Sequence, residues 1–385
     1  VAAWDVIVVG LGTVGAAAAM ALGRRGRSVL GIDAHRPPHE SGSHHGETRS
    51  IRRAYLEGTV YVPMALRAWE LWRRLERDSG RRLLTVTENL TIGPEGAPAV
   101  EGFLEAARSF DVPHEALSAR EVTRRWPQLT PPPGFAAGLE SRAGILFPER
   151  CISAMLAEAE RAGVDVRTGE AVLRWVPEAG CIRVFTNRGA YEAGRLLLAT
   201  GAGTPGLLEA RALPLQVKSV SVFWLEPPPG GAFGPGRFPV NFWQLPAGEG
   251  EGAPAHREFY SLPAFGAGVK AAPHNDLPDW EAGADGTVDR KEEARVRAFL
   301  RACVPSLSDR PARVGRCRYT LPPDGGFVLG PLSGCGDVFT AVLAGHGFKF
   351  APVLGEILAD GIEGRNSPFD ATPFSAERFS AGAGR

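Results

Sequence analysis

Five groups of residues in this 385-residue chain have types and spacings that can do chemistry. The first is Gly10-Leu11-Gly12-Thr13-Val14-Gly15, a pattern that cradles phosphates. Gly10 makes a tight turn, Gly12 lets the backbone approach a pyrophosphate, and Gly15 lets a helix pack on a strand. Asp33, at the end of the next apolar run, can accept a hydrogen bond from a ribose hydroxyl. The second group is Arg316-Cys317-Arg318, where flanking cations favour a thiolate and make Cys317 the most reactive candidate among five cysteines. The third is Gly345-His346-Gly347-Phe348-Lys349, a flexible turn with a lysine at its mouth. The fourth is the loop Ser41-Gly42-Ser43-His44-His45-Gly46-Glu47-Thr48-Arg49, followed by Arg52. It is rich in small residues and donors and can wrap a ligand closely, or it is a solvated connector. The fifth runs from Tyr260 to Lys270 and on to His274. Only four lysines occur in the chain (Lys218, Lys270, Lys291 and Lys349), so each marks a position of interest.

The elements that must carry these groups can be read from periodicity. Residues 5–9 form an apolar, β-branched run, residues 16–22 an alanine-rich helix, and residues 28–33 a second strand. This strand–glycine turn–helix–strand order, ending in an acid, makes the first group a dinucleotide site rather than a packing turn. Residues 60–78 place Val62, Ala65, Leu66, Trp69, Trp72 and Leu75 at helical spacing, and Gly80 stops the helix. Short strands over 85–92, a helix over 99–110 and a proline-rich stretch at 131–134 follow. A helix over 152–163, strand pieces at 164–166, 171–176 and 182–186, and an apolar strand ending in Ala199-Thr200-Gly201 return the chain to the central sheet. Alternating strands at 217–225, 238–244 and 258–262 predict an antiparallel sheet. Asp289 caps a helix over 290–303, strands follow at 314–319, 327–330 and 338–341, and a last helix spans 351–361. The tail after Pro368 shows no clear structure. The expected organisation is discontinuous, with a nucleotide-binding domain from residues 1–82, 145–212 and 305–385. A β-rich substrate domain comes from residues 83–144 and 213–304.

Composition bounds the function. With 44% hydrophobic residues the chain can bury a large core, and no run reaches membrane-spanning length. Equal numbers of basic and acidic residues, 43 each, argue against a nucleic-acid or anionic-membrane partner. The five cysteines form no CxxC pair, so neither a zinc site nor a disulfide framework is indicated. Adjacent His44 and His45 point apart and lack a carboxylate cluster, which disfavours a metal pair. The first residues enter a strand with no charged-then-apolar leader, so a cytoplasmic protein is expected.

At these motifs the sequence resembles the monomeric sarcosine oxidase and N-methyltryptophan oxidase family, within the D-amino-acid-oxidase-like flavoproteins. The resemblance runs nearly end to end. Its specific parts are Cys317-Arg318-Tyr319-Thr320, the Ser43-to-Arg49 loop, Gly268-Val269-Lys270 and the Gly345-to-Lys349 turn. It implies an α/β (α+β) two-domain flavoprotein: a Rossmann-type FAD-binding domain with an antiparallel β-rich substrate domain inserted. It also implies FAD attached covalently through Cys317. Arg52 and Lys349 match the pair that binds the substrate carboxylate, and Lys270 matches the lysine near the flavin face that promotes reaction with O₂. Tyr260 and His274 match the substrate side, with Tyr260, His274 and Arg49 counted among the catalytic candidates. Ser43, His45, Thr48, Arg49, Val172, Gly201, Tyr319, Gly347 and Lys349 join Gly10, Gly12, Gly15 and Asp33 around the cofactor. No metal is implied. The implied activity is oxidation of a secondary amino acid, sarcosine first, to glycine, formaldehyde and hydrogen peroxide by a monomer. N-methyltryptophan, pipecolate or proline, or a glycated amino acid are alternative substrates. A flavin dehydrogenase or a non-catalytic flavin subunit of a larger complex are alternative roles. Two departures bear on substrate choice. The Tyr260–Lys270 spacing is one residue short of the family's, and the loop over 246–255 is lengthened beside Asn241-Phe242-Trp243, a stretch expected to form a pocket wall.

Overall fold

In the computed structural model, which describes residues 3–55, 57–208, 213–247, 255–281 and 288–382, the first apolar run is a central strand. β1 (Trp4–Val9) leads through the glycine turn into α1 (Thr13–Arg24) and β2 (Val29–Asp33). There follow β3 (Arg49–Ile51), α2 (Val62–Ser79), β4 (Leu84–Pro94), α3 (Pro98–Ser109), β5 (His114–Ser118) and α4 (Ala119–Arg125). Next come β6 (Phe135–Leu146), α5 (Pro148–Arg161), β7 (Asp165–Thr168), β8 (Val172–Glu178), β9 (Cys181–Thr186), β10 (Ala190–Leu198) and α6 (Thr204–Leu208). The rest is β11 (Gln216–Leu225), β12 (Val240–Pro246), β13 (His256–Phe265), β14 (Gly268–Pro273), α7 (Arg290–Cys303), β15 (Pro311–Leu321), β16 (Val328–Leu332), β17 (Cys335–Val342) and α8 (Ala351–Ile362).

Two sheets organise these elements. The first has the order β16-β17-β10-β1-β2-β7, with the β8–β9 hairpin attached to β10. Its central strands are parallel, and β2 is buried along its whole length because both faces are covered. Val6 and Val8 pack under the alanine-rich α1 with α5 and α8, while Ile7, Val9, Leu30 and Ile32 pack on the other side with Trp175 and Val184. As expected, β10 runs beside β1, so the strand ending at Leu198 brings Ala199-Thr200-Gly201 to the glycine turn.

The second sheet runs β15-β11-β14-β13-β12-β4-β6-β3, with β5 beside β6. Strand alternation divides its residues between two destinations. Phe223, Trp243, Phe259, Val269 and Ala271 face outward into a core shared with Val296, Phe299 and Leu300 of α7. Phe259 stacks on Phe299 with ring centroids 4.8 Å apart. Asp289 caps α7 by accepting from the N–H groups of Lys291 and Glu292. The alternate residues, among them Val222, Tyr260, Lys270 and Cys317, face inward toward the first sheet's loops.

The structure departs from the sequence reading in four places. β6 is a twelve-residue strand where only a proline-rich connection was expected. Its Gly138, Gly144, Glu140 and Arg142 break the apolar alternation that would have announced it. α4 is a short helix held by a reciprocal Ser118–Glu121 capping box, too short for periodicity to register. β3 and β15 lie in segments assigned to the nucleotide unit, yet both are strands of the second sheet. The tail is also structured, with short 3₁₀ turns at Thr372–Phe374 and Ala376–Gly382. Phe374 is buried against Tyr61 and Phe327, and Arg378 pairs with Asp324. Residues 248–254 of the lengthened loop lie outside the described residues. No helix among the described residues is long and apolar enough to cross a membrane.

Candidate active site

The glycine turn opens onto a cleft of about 500 Å³. A Cβ on Gly15 would sit 1.7 Å from the carbonyl oxygen of Gly10, and one on Gly10 would sit 2.6 Å from that of Ala199. Only hydrogen fits at either position. Gly12 is the N-cap of α1 with no side-chain cap, and the helix's first turn has no acidic residue. Its first N–H groups and partial positive charge are therefore free for an anion. At one end of the cleft Asp33 accepts from the backbone N–H groups of Leu11 and His35, each at 2.8 Å. Its carboxylate keeps lone pairs for a ribose. His39 Nδ1 and Thr320 Oγ1, both buried without a partner among the described residues, belong to residues of the same wall. An open helix N-terminus, an acid at the strand end and unpaired polar atoms on residues of the same wall fit a dinucleotide.

At its other end the cleft meets a pocket of about 80 Å³, the two sharing Arg49, Tyr319, Gly345 and Phe348. The inward face of the second sheet forms the pocket's floor. Tyr260 on β13 is paired with Phe242 on β12, and Lys270 on β14 with Trp224 on β11. Cys317 comes from β15, opposite Val220. The pocket's roof comes from Thr48, Arg49, Ser50, Arg52 and Glu57 and from the turn before α8.

Charge is concentrated here. Arg52 is buried, and its Nη2 donates to both carboxylate oxygens of Glu57 at 2.9 and 3.0 Å. Its guanidinium lies 5.1 Å from the Tyr55 ring centre and 5.6 Å from that of Phe242. Lys349 Nζ donates to Tyr55 Oη at 3.2 Å and to the His346 carbonyl at 2.8 Å. Tyr55 Oη is in turn 2.7 Å from His346 Nδ1. Burial and then the Arg52 charge push Lys349 down to about 7, against the opposing pull of Glu57. Burial works against the Glu57 carboxylate, but Arg52, His346 and Lys349 hold it at about 2. Burial also lowers His274 and brings His346 to about 4, and it raises Tyr260 to about 12. His274 is framed by the rings of Phe242, Tyr260 and Tyr319.

The site residues anticipated from sequence fall into distinct places. Gly10, Gly12, Asp33, Ser43, Val172, Gly201 and Gly347 line the large cleft. Gly15 lies beneath it, packed on Gly10. Arg49 and Tyr319 stand at the junction, and Arg49's guanidinium donates to the carbonyls of Ser43, His45 and Thr48. Thr48, Arg52, Tyr260, Lys270, His274, Cys317 and Lys349 line the small pocket. His45 lines neither cavity. His44 takes its place in the cleft wall, with its Nδ1 3.1 Å from where a Gly12 Cβ would be.

The arginines that flank Cys317 in sequence do not face its thiol. Arg316 and Arg318 alternate to the opposite side of β15 and stack on Trp280. The cations that share the pocket with Cys317 are Arg49, Lys270, Arg52 and Lys349. Sequence reading missed Tyr55 and Glu57, which carry no motif of their own. It did mark the Asn241-Phe242-Trp243 stretch as a pocket wall. Asn241 and Phe242 line the pocket, while Trp243 points into the α7 core.

Comparison with known proteins gives one consistent picture. Residues 5–361 match the family model for FAD dependent oxidoreductases. The chain is 35% identical to the monomeric sarcosine oxidase of Streptomyces avermitilis over 93% of each chain. It is 33% identical to the N-methyl-L-tryptophan oxidase of Salmonella dublin, over 98% of this chain and 99% of the relative. Among solved structures, NikD, an unusual amino acid oxidase essential for nikkomycin biosynthesis, superposes with a TM-score of 0.82 at 26% identity, covering 97% of both chains.

Proposed function

Since this chain belongs to the family of FAD dependent oxidoreductases, we propose that it oxidises a small N-methylated amino acid, sarcosine first. The overall reaction is sarcosine + O₂ + H₂O → glycine + formaldehyde + H₂O₂. FAD in the large cleft supplies the two-electron acceptor. The observation that carries this reading is the small pocket where it meets the cleft. Two buried cations, Arg52 and Lys349, stand in a space of about 80 Å³. An amino-acid carboxylate entering a dry pocket needs such a partner. The volume favours sarcosine over an indole-bearing substrate.

In this reading the carboxylate takes Arg52 and Lys349, displacing part of the Arg52–Glu57 contact. Phe242, Tyr260 and His274 close around the amine and exclude water. The surrounding positive charge of Arg49, Arg52 and Lys349 favours loss of the ammonium proton, which leaves the amine lone pair available for reaction. Lys270, fully buried with its Nζ held by two carbonyls, supplies fixed positive charge beside the cofactor end and stabilises charge developing on O₂. Cys317, facing the pocket from β15, is the residue through which FAD attaches covalently, and the enzyme works as a monomer. The first sheet is the FAD-binding unit and the second sheet the substrate unit.

The deciding experiment mixes the pure holoenzyme with sarcosine. Peroxide and formaldehyde should appear in equal amounts in air, and the flavin should bleach under nitrogen. A flavin that stays oxidised under nitrogen rejects the assignment. In a panel of N-methyltryptophan, proline, pipecolate and a glycated amino acid, sarcosine should show the highest kcat/KM. Yellow colour retained by acid-denatured protein tests the Cys317 link, and sedimentation tests the monomer.

A further inference from the structure

We propose that Glu47 positions Lys270: it holds, in a strained three-residue turn, the two carbonyls that fix the direction of the lysine ammonium. The inference rests on the reading of Lys270 as the group that speeds reaction with O₂.

The turn is defined by its hydrogen bonds. The N–H of Thr48 donates to the carbonyl of Gly46 at 2.7 Å, spanning one residue, Glu47. Glu47 has φ +66° and Gly46 has φ +102°. A three-residue turn with a positive central φ is the rare, strained form, and a glutamate there is held against its preference. Such strain persists only where the surroundings over-determine it.

They do so from both sides. Glu149, in the first turn of α5, accepts the N–H groups of Gly46 and Glu47 on one oxygen, at 2.8 and 3.0 Å. The Glu47 side chain reaches the other way, to the second sheet. One oxygen pairs with Arg313 at 2.8 Å, and the other accepts the N–H of Ala267 at 3.2 Å. The result points both flanking carbonyls at one atom: Gly46 O and Thr48 O accept from Lys270 Nζ at 3.0 and 2.6 Å.

Sheet register ties anchor and cargo together. Arg313, Trp224 and Lys270 are cross-strand neighbours on β15, β11 and β14. The Arg313 guanidinium stacks 3.8 Å over the Trp224 ring, and Lys270 Nζ lies 5.9 Å from the same ring. The sheet row that presents the lysine therefore also presents the cation that clamps the turn. A Cβ on Gly46 would lie 3.6 Å from Lys270 Nζ and 3.5 Å from Trp224, so the turn and the row are packed face to face. Burial, then the Arg49 charge, push Lys270 well below the usual lysine range, with Glu149 and Glu47 pulling the other way; the two carbonyl acceptors at Nζ also favour the ammonium.

The test uses the holoenzyme with Glu47→Gly, which tolerates the positive φ but loses both side-chain anchors, and Glu149→Gln as a second variant. Lys270→Met is the control. In Glu47→Gly and in Glu149→Gln, reduction by sarcosine under nitrogen should change by no more than about twofold. Reoxidation by O₂ should slow by about tenfold, as expected when a charged group is slightly misplaced. With only four lysines in the chain, ¹⁵N-lysine spectra can be assigned by the signal that Lys270→Met removes. That signal should shift in Glu47→Gly, and its titration midpoint should fall. In the Lys270→Met background, Glu47→Gly should slow reoxidation no further. Normal reoxidation with an unmoved lysine signal, or equal loss in both half-reactions, overturns the proposal. If Lys270→Met itself reacts normally with O₂, the reading of Lys270 fails instead. The lysine signal then still decides whether Glu47 positions it.

Discussion

The large cleft is walled mainly by backbone and small side chains, whereas the small pocket joined to it is walled by charges and aromatic rings. Much of the cleft comes from one contiguous stretch, Gly10 to Asp33, met by Ala199 to Gly203 just beyond the end of the neighbouring strand β10. The pocket draws Arg52, Glu57, Phe242, Tyr260, Lys270, Cys317 and Lys349 from widely separated segments. On the proposed function, the difference follows from what each binds. A pyrophosphate is satisfied by N–H groups at one helix end, which local chain geometry supplies. A small zwitterion in a dry pocket needs opposed charges and a shaped wall, which only packing of distant segments supplies.

If that division is right, changes in the two regions should fail differently. The largest effect is expected at Gly15→Val, whose Cβ would collide with the Gly10 carbonyl at 1.7 Å. Purified protein should carry little or no flavin, and its unfolding free energy from urea titration should fall by more than about 3 kcal/mol. A normal flavin content would break the comparison.

Arg52→Met should leave flavin content intact but strand Glu57 without its partner. A loss of about 2–5 kcal/mol in kcat/KM is expected, roughly thirtyfold to several thousandfold. Arg52→Lys should recover only part of it, because the ammonium cannot reproduce the planar fork.

Lys349 tests the electrostatics. Its ammonium is held near 7 in the free site, so it is charged below that pH and neutral above it. Binding of an inert carboxylate such as propionate, followed by flavin absorbance, should weaken as pH rises through 7. Lys349→Met should bind more weakly at pH 6 and flatten that dependence. A dependence unchanged in the variant would assign it to another group.

The smallest effect concerns shape. Phe242→Ala should widen the pocket and shift relative kcat/KM toward N-methylated amino acids with larger side chains, by about 1–3 kcal/mol. Flavin binding should not respond, since Phe242 does not line the cleft.

Much of the first sheet was legible because its signals are local. Apolar runs, glycine spacing and the acid at Asp33 lie within a few residues of the contacts they make. The second sheet was read in pieces: β11 to β13 showed alternation, but β6, carrying Glu140 and Arg142 within it, did not. Cys317 was located by motif, yet the electrostatic reason offered for it failed, because its sequence neighbours face away on an alternating strand.

By itself the sequence marked the Gly10–Gly15 turn, with Asp33, as a dinucleotide cradle. Through resemblance, it also named residues that gather in the small pocket. Only the tertiary structure decided which of them share a cavity, that Arg52 is paired with Glu57, that His44 rather than His45 meets the cleft, and that a strained turn at Glu47 holds Lys270. A helix end or a glycine turn is a property of consecutive residues. Which side chains oppose one another across a pocket is set by strand register and by loops packed from opposite ends of the chain.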